Sequence, residues 1–393
     1  MDRETLSPYV AREQASVKHF LLESYLERLI MITARKFCSH IAYVDAFAGP
    51  WKSSNPDLSD TSFARAIEVM EGCRAELETK FRRSVTFRAL FIERDAASFA
   101  RLKHFADTRS TRQIQITAAN EDFSDSAESV ARWIKDDEMA FVLVDLTGWK
   151  DVISPKTLAP LLRKRNVELL INFMWNFINL ASGHANQKEN LRELFGDQLE
   201  RLLAEDSTRS ERDWMRAYLD QLKIAAGDAD SDSRLRAAWF PVEFTLQDRV
   251  FYFLAYVTHH VKGIIVFLEE TDRALQYQKE VKFVVKQQRR EEEFGITDLF
   301  GDDLSPKIGP SSLKSPEVRE MWMTLLPDVG SEIRVDESRI AEMVEKCGCL
   351  ISTMQSELRT LIAEGILKNI DSRSTRPRNV VSYRDGERIV RIS

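Results

Sequence analysis

Apolar runs closed by a polar or acidic residue recur through the first half of the chain. Ile41-Ala42-Tyr43-Val44 stops at Asp45, residues 85–92 stop at Glu93, and Phe141-Val142-Leu143-Val144 stops at Asp145. A shorter run at 114–117 leads into Asn120-Glu121-Asp122, and residues 167–173 add a fifth. Near-continuous apolar strands are buried on both faces, which predicts a parallel sheet. Between the runs, apolar residues fall at helical spacing. Residues 12–40 carry Val17, Phe20, Leu21, Tyr25, Leu29 and Ile30, and residues 61–81 carry Phe63, Ile67 and Met70 on one face. Further helices are expected at 96–108, at 124–134 with Ser124 or Asp125 as the cap, and at 155–164. Repeated strand–helix alternation predicts an α/β, doubly wound, Rossmann-like domain.

Residues 176–236 interrupt this alternation with a polar helical segment, expected to be an insertion packed over the sheet's edge. The strand pattern returns at 240–246 and 251–258, separated by Gln247-Asp248-Arg249, so an antiparallel pair is expected there. A helix at 262–279 follows. Residues 287–315 shift to charge runs, Gly and Pro and read as a linker between a 1–286 domain and a 316–393 domain. In the latter, helices at 317–326, 337–345 and 350–364 precede strands at 366–370 and 380–383. Three helices and a hairpin in that order predict a winged helix-turn-helix, which sets its last helix in a groove when it binds DNA. Arg359 is the one arginine of that helix, and Arg373, Arg376 and Arg378 in the wing are the better phosphate contacts. Many such domains bind proteins instead, and both partners stay open.

Composition narrows the class. At 393 residues the chain exceeds the size at which one core keeps growing, in agreement with two domains. A net charge of −6 argues against coating nucleic acid through bulk charge, although a local basic face is compatible with it. The four cysteines, Cys38, Cys73, Cys347 and Cys349, have no paired metal spacing and read as reduced thiols. His19, His104 and His184 lack a partner pattern and read as surface or helix residues. Adjacent His259 and His260 point to opposite faces of a strand, so no metal is assigned. No apolar run reaches membrane-spanning length and Met1 is followed by charged residues, which points to the cytoplasm.

In open α/β sheets, ligands bind at the carboxyl ends of the strands, which is where the acids fall. Burying an unpaired carboxylate is costly, so Asp45 needs a polar partner there. Phe47, Ala48 and Gly49 follow it, and the small residues let a ligand approach the backbone. No Gly-Lys-Ser/Thr loop or full G-x-G-x-x-G is present, so an S-adenosylmethionine site fits better than a phosphate cradle. A carboxylate accepts two donors, which suits Glu93 to the ribose hydroxyls. Asn120 or Asp122 suits the adenine amino group. Asp145 stands on the methyl-acceptor side, with Trp149 or Phe173 available to stack a base and Asn172 nearby. Phe173, Trp175 and Phe177 also fit core and rim positions, and Asp95 and Asp151 fit helix caps.

Several segments resemble the three-Cys-motif partner proteins (TcmP). Tyr43-Val44-Asp45-Ala46-Phe47-Ala48-Gly49-Pro50 resembles the family's Y-x-D-x-F-A-G-P-G motif, and Lys18 to Leu26 is similar to its leading helix. Phe91-Ile92-Glu93, Phe141 to Asp145 with Gly148 and Trp149, Leu169 to Phe173, and Phe195-Gly196-Asp197 resemble later family segments. The resemblance covers residues 15–275. It implies a class I S-adenosylmethionine-dependent methyltransferase-like fold and a radical-SAM-like protein with a three-cysteine motif as partner. Two departures stand out: Trp51 replaces the motif's last Gly, and Leu146 replaces the Pro expected after Asp145. Without that proline, an acceptor nitrogen is less rigidly held for in-line attack. The expectations are therefore a nucleic-acid methyltransferase-like enzyme, a non-catalytic adaptor on a degenerate methyltransferase fold, or a metal-dependent phosphodiesterase using Asp45, Glu93 and Asp145.

Overall fold

The computed structural model describes residues 6, 9, 12–49, 53, 55, 58–146, 152–204, 210–227, 234–294, 316–372 and 380–393. Its contacts divide the chain into two units, Met1–His259 with Tyr277–Pro306, and His260–Gln276 with Lys307–Ser393. Among the described residues, no helix is long and apolar enough to cross a membrane.

The first unit is built on a seven-stranded sheet. In chain order its elements are α1 (Glu13–Lys36), β1 (His40–Asp45), α2 (Ser62–Phe81), β2 (Thr86–Ile92), α3 (Ala96–Arg109), β3 (Ile114–Ala119), α4 (Phe123–Trp133), β4 (Met139–Val144), α5 (Pro155–Leu162) and β5 (Val167–Phe173). The strand order is β3-β2-β1-β4-β5-β7-β6, with β6 (Arg236–Glu243) and β7 (Val250–Thr258). Strands β1 to β5 are mutually parallel, whereas β7 runs antiparallel to both β5 and β6. This is a mixed α/β, doubly wound sheet closed by the expected antiparallel pair. Every residue of β4 and β5 is buried, which is why both read as unbroken apolar runs, while edge strand β3 is half exposed.

The helical segment after β5 comprises α6 (Trp175–Ser182), α7 (Lys188–Phe195), α8 (Gln198–Leu203) and α9 (Glu211–Ala226). It covers a sheet face rather than an edge. Leu194, Phe195, Trp214 and Tyr218 share one core with Phe173, Val257 and Leu158 of α5. The Tyr218 hydroxyl donates to the Ile153 carbonyl (2.8 Å), and the Trp175 indole donates to Glu211 (3.1 Å). Phe173 and Trp175 are therefore core residues, while Phe177 is 40% exposed. On α1, Val17, Leu21, Tyr25, Leu29 and Ile30 are buried as the spacing predicted, and Phe20 stacks on Tyr277 with ring centroids 4.4 Å apart. The cap of α4 is Asp122, upstream of the expected Ser124 or Asp125. Asp95 caps α3 as expected.

Strand β6 begins at Arg236, earlier than its apolar core suggested, and α10 (Val261–Phe294) runs into the segment read as linker. Helical charge runs such as Arg289 with Glu293 (2.7 Å, one turn apart) resemble linker composition.

In the second unit, α11 (Pro316–Leu325), β8 (Glu332–Val335), α12 (Glu337–Cys347), α13 (Ile351–Ala363), β9 (Leu367–Asn369) and β10 (Glu387–Arg391) follow in order. The three strands form an antiparallel sheet in the order β8-β10-β9. Strand β8 is only four residues long and alternates too briefly to stand out in the sequence. The second hairpin strand is β10, not residues 380–383. Val381 is held instead by the Gln355 side chain, which donates to its carbonyl (2.9 Å) and accepts from its amide (3.1 Å).

Candidate functional site

From β1 the chain winds outward to β3 and then returns to place β4 beside β1. That reversal is the topological switch point, where doubly wound sheets bind ligands. Both strands flanking it deliver an acid to their carboxyl ends.

Asp45 closes β1 and is fully buried. One carboxylate oxygen accepts from the Phe47 amide (3.1 Å) and the other from the Ser62 hydroxyl (2.7 Å). Burial nevertheless pushes its pKa up to about 6, and the charge of Asp145 pushes the same way against the two hydrogen bonds and Lys18. Asp145 lies just past β4. It takes an ion pair from Lys18 of α1 and a hydrogen bond from the Asn172 amide (2.8 Å) at the end of β5. Asp45, Asp145 and Asn172 thus come together as the sequence proposed, and Lys18 joins them.

Two buried polar atoms here have no hydrogen-bond partner among the described residues, the Tyr43 hydroxyl and the Asn172 side-chain oxygen. Burial, Asp45 and Asp145 all hold the Tyr43 phenol protonated. An unpaired buried hydroxyl or carbonyl costs about 1–3 kcal/mol, so each is a candidate contact for a polar ligand.

Glu93, 3% exposed, follows β2 and folds its carboxylate back to accept from the Asp95 amide (2.6 Å). Burial raises its pKa. The Ala48 amide donates to the Ile92 carbonyl (2.9 Å), which holds the loop after β1 against the end of β2. Ala48 is itself buried, Gly49 is partly exposed, and the partly buried Phe47 ring meets Phe123 edge-on (5.9 Å between centroids). The Asn120 amide donates to the Glu93 and Arg94 carbonyls (2.8 and 3.0 Å), tying the end of β3 to the same turn. The Asp122 carboxylate accepts from Ser124 as the α4 cap and pairs with Arg94 (3.4 Å). The Ser124 hydrogen bonds hold its pKa low.

Trp149, Asp151, Pro50, Trp51, Arg373, Arg376 and Arg378 lie outside the described residues. Arg359 is exposed on α13 with Ser352, Ser356 and Thr360. Several other basic residues of the second unit face its own carboxylates: Arg319 pairs with Glu364 and Glu357, and Arg388 with Asp371 and Glu332.

Sequence reasoning did not single out Lys18, Tyr43 or Ser62. The signal for Lys18 was a cation between the core positions Val17 and Leu21, one residue from His19. His19 is itself buried rather than on the surface, hydrogen-bonded to the Tyr9 hydroxyl (2.9 Å), and its pKa is lowered by burial and by Lys18. His259 is likewise buried, with Nε2 at 2.7 Å from the Leu162 carbonyl, while His260 is exposed. Among the described residues, no three His, Cys, Asp or Glu side chains gather as a metal site.

No family model matches the chain, and no curated protein matches it. Among solved structures, protein LPL1258 from Legionella pneumophila str. Philadelphia 1 aligns over 61% of this chain and 85% of its own, at 8% identity and a TM-score of 0.35. TYW2 from M. jannaschii, in complex with AdoMet, aligns over 60% and 74%, at 12% identity and a TM-score of 0.27. A loganic acid methyltransferase with SAH aligns over 75% and 91%, at 9% identity and a TM-score of 0.30.

Proposed function

We propose that this chain is an S-adenosylmethionine-binding, methyltransferase-like protein that acts on or with nucleic acid. The observation that carries the reading is the pair of acids, Asp45 and Asp145, at the carboxyl ends of the two strands that flank the switch point. The donor set fits the cofactor. A buried carboxylate near a positive ligand gains the counter-charge it lacks, and Asp45 is such a group. Glu93 has one oxygen on the Asp95 amide and a second suited to ribose hydroxyls. When bound, S-adenosylmethionine supplies an electrophilic methyl group.

The chain's own residues supply position. The Lys18 and Asn172 contacts fix the Asp145 carboxylate, so that an acceptor's N–H or O–H meets an oriented acceptor oxygen. The Asn172 oxygen and Tyr43 hydroxyl remain available for a second hydrogen bond to the acceptor. Phe47 and Phe123 line the entrance beside Asp45 and limit water there. Trp149 completes the acceptor side in this reading.

The second unit's order of helices and strands supports reading residues 316–393 as a winged helix-turn-helix, with α13 as its groove-entering helix and Arg359, Arg373, Arg376 and Arg378 as phosphate contacts. The sequence motif around Asp45 supports a radical-SAM-like three-Cys-motif protein as partner. A second reading, a non-catalytic adaptor, is favoured by the Lys18–Asp145 ion pair, which neutralises the acceptor-side acid. The ion-paired arginines of the second unit favour a protein partner under that reading.

Methyl-labelled S-adenosylmethionine incubated with pooled DNA and RNA separates the two. Label on nucleic acid, lost in Asp145→Asn while cofactor binding persists, supports the enzyme. Cofactor binding without label on any pool supports the adaptor.

A further inference from the structure

Three sulfur atoms that the proposed function does not use gather within the second unit. Cys347 ends α12, and its Sγ lies 3.8 Å from Sδ of Met321 on α11. Gly348 adopts a left-handed conformation (φ +59°) that turns the chain sharply. The turn brings Cys349 back, and its thiol donates to the Cys347 sulfur. A β-carbon at Gly348 would meet no atom within 4 Å, so the φ angle, rather than space, explains the glycine. Cys349 is 1% exposed and Cys347 is partly exposed, giving an inner and an outer ligand with access from solvent.

We propose that Met321, Cys347 and Cys349 form a binding site for a soft monovalent cation of the copper(I) or silver(I) class. Three sulfurs each about 2.3 Å from a central ion stand roughly 3.8–4.0 Å apart, so the Met321–Cys347 spacing already suits coordination. The donor set decides the metal: two thiols and a thioether are soft ligands that select copper(I) over harder ions, and a thioether is a poor zinc ligand. The hydrogen bond from Cys349 holds the Cys347 thiol below its ordinary pKa, so it loses its proton first. Binding replaces both thiol protons, which pass to solvent, and leaves two thiolates and one thioether around the ion with no change in oxidation state. The resulting net charge of about −1 lies beside Lys346, the residue before Cys347. The nearby Glu317 carbonyl oxygen, 3.8 Å from the Cys347 sulfur, is too distant to act as a ligand without movement.

The test titrates the full, reduced chain with copper(I) against a coloured chelator under anaerobic conditions. A Cys38→Ser background removes the other partly exposed thiol. The expected result is one tightly held ion per chain, lost in Cys347→Ser and Cys349→Ser, and about tenfold or more weaker in Met321→Leu, a volume-conserving change that leaves the fold intact. Circular dichroism of each variant separates loss of the site from loss of the fold. Binding that survives both serine substitutions, affinity unchanged in folded Met321→Leu, tighter zinc than copper(I) binding, or no bound ion would each overturn the assignment.

Discussion

Replacing Asp45 with Asn separates the cost of the site from its use. The carboxyl is fully buried, and its pKa rises from an ordinary 3.8 to about 6. A rise of that size corresponds to about 3 kcal/mol at roughly 1.4 kcal/mol per pH unit. The folded protein therefore holds this proton more tightly than the unfolded chain. Its stabilising contribution is complete below pH 3.8 and is lost as the pH rises through about 6. At neutral pH the charged carboxylate destabilises the fold by that amount. Asparagine keeps an oxygen for the Phe47 amide, and its NH2 meets the Ser62 oxygen, which can accept. Urea unfolding of both proteins between about pH 4 and pH 8 should show Asp45→Asn gaining as much as about 3 kcal/mol over wild type near pH 7. The gain should vanish near pH 4. Taking the difference cancels the other carboxylates, including Asp122, whose depressed pKa gives the opposite slope. The variant should also lose cofactor binding, a stability–function trade-off. A variant less stable than wild type near pH 7, or a difference independent of pH, would refute this argument.

Four further outcomes follow from the same contacts. Affinity for S-adenosylmethionine should fall as the pH drops below about 6, because protonated Asp45 gives up the counter-charge that a cationic ligand uses; isothermal titrations across that range read it directly. Lys18→Met removes the cation from the partly buried Asp145 and should cost about 1–2 kcal/mol in urea unfolding, with Lys18→Arg recovering most of it. Tyr25→Phe deletes the donor to buried Glu168 (2.6 Å), which also accepts from Thr258 (2.9 Å), and should cost about 1–3 kcal/mol by the same measurement. Gln355→Leu strips both hydrogen bonds from Val381 and should cost about 2 kcal/mol, with hydrogen exchange at residues 380–382 rising above that of β10.

The central sheet was legible because β4 and β5 are buried on both faces, so their sequence is an unbroken apolar run ended by a polar residue. Asp45 and Asp145 were legible for the same reason: an acid after such a run contrasts sharply with it. Lys18 was not, since a lysine on a helix is ordinarily solvated, and only tertiary packing turns it toward Asp145. Asp122 shows the converse. Its place after β3 suits a ligand contact, yet its carboxylate caps α4, and local capping is as good a reason for an acid there. In the second unit, Val380 and Val381 carry strand propensity, but the Gln355 amide gives Val381 the backbone hydrogen bonds that a neighbouring strand would have supplied. The sulfur cluster escaped a spacing argument because its third member, Met321, is far away in sequence and is not a residue that metal motifs use.

The central claim is that the crevice at the switch point binds S-adenosylmethionine. Calorimetric titration of the full chain with S-adenosylmethionine and S-adenosylhomocysteine tests it most directly. The account predicts micromolar binding of one molecule per chain, abolished in Asp45→Ala and weakened in Glu93→Gln, each shown to be folded by circular dichroism. No heat and no thermal shift with folded wild-type protein, or binding unchanged in Asp45→Ala, would contradict it.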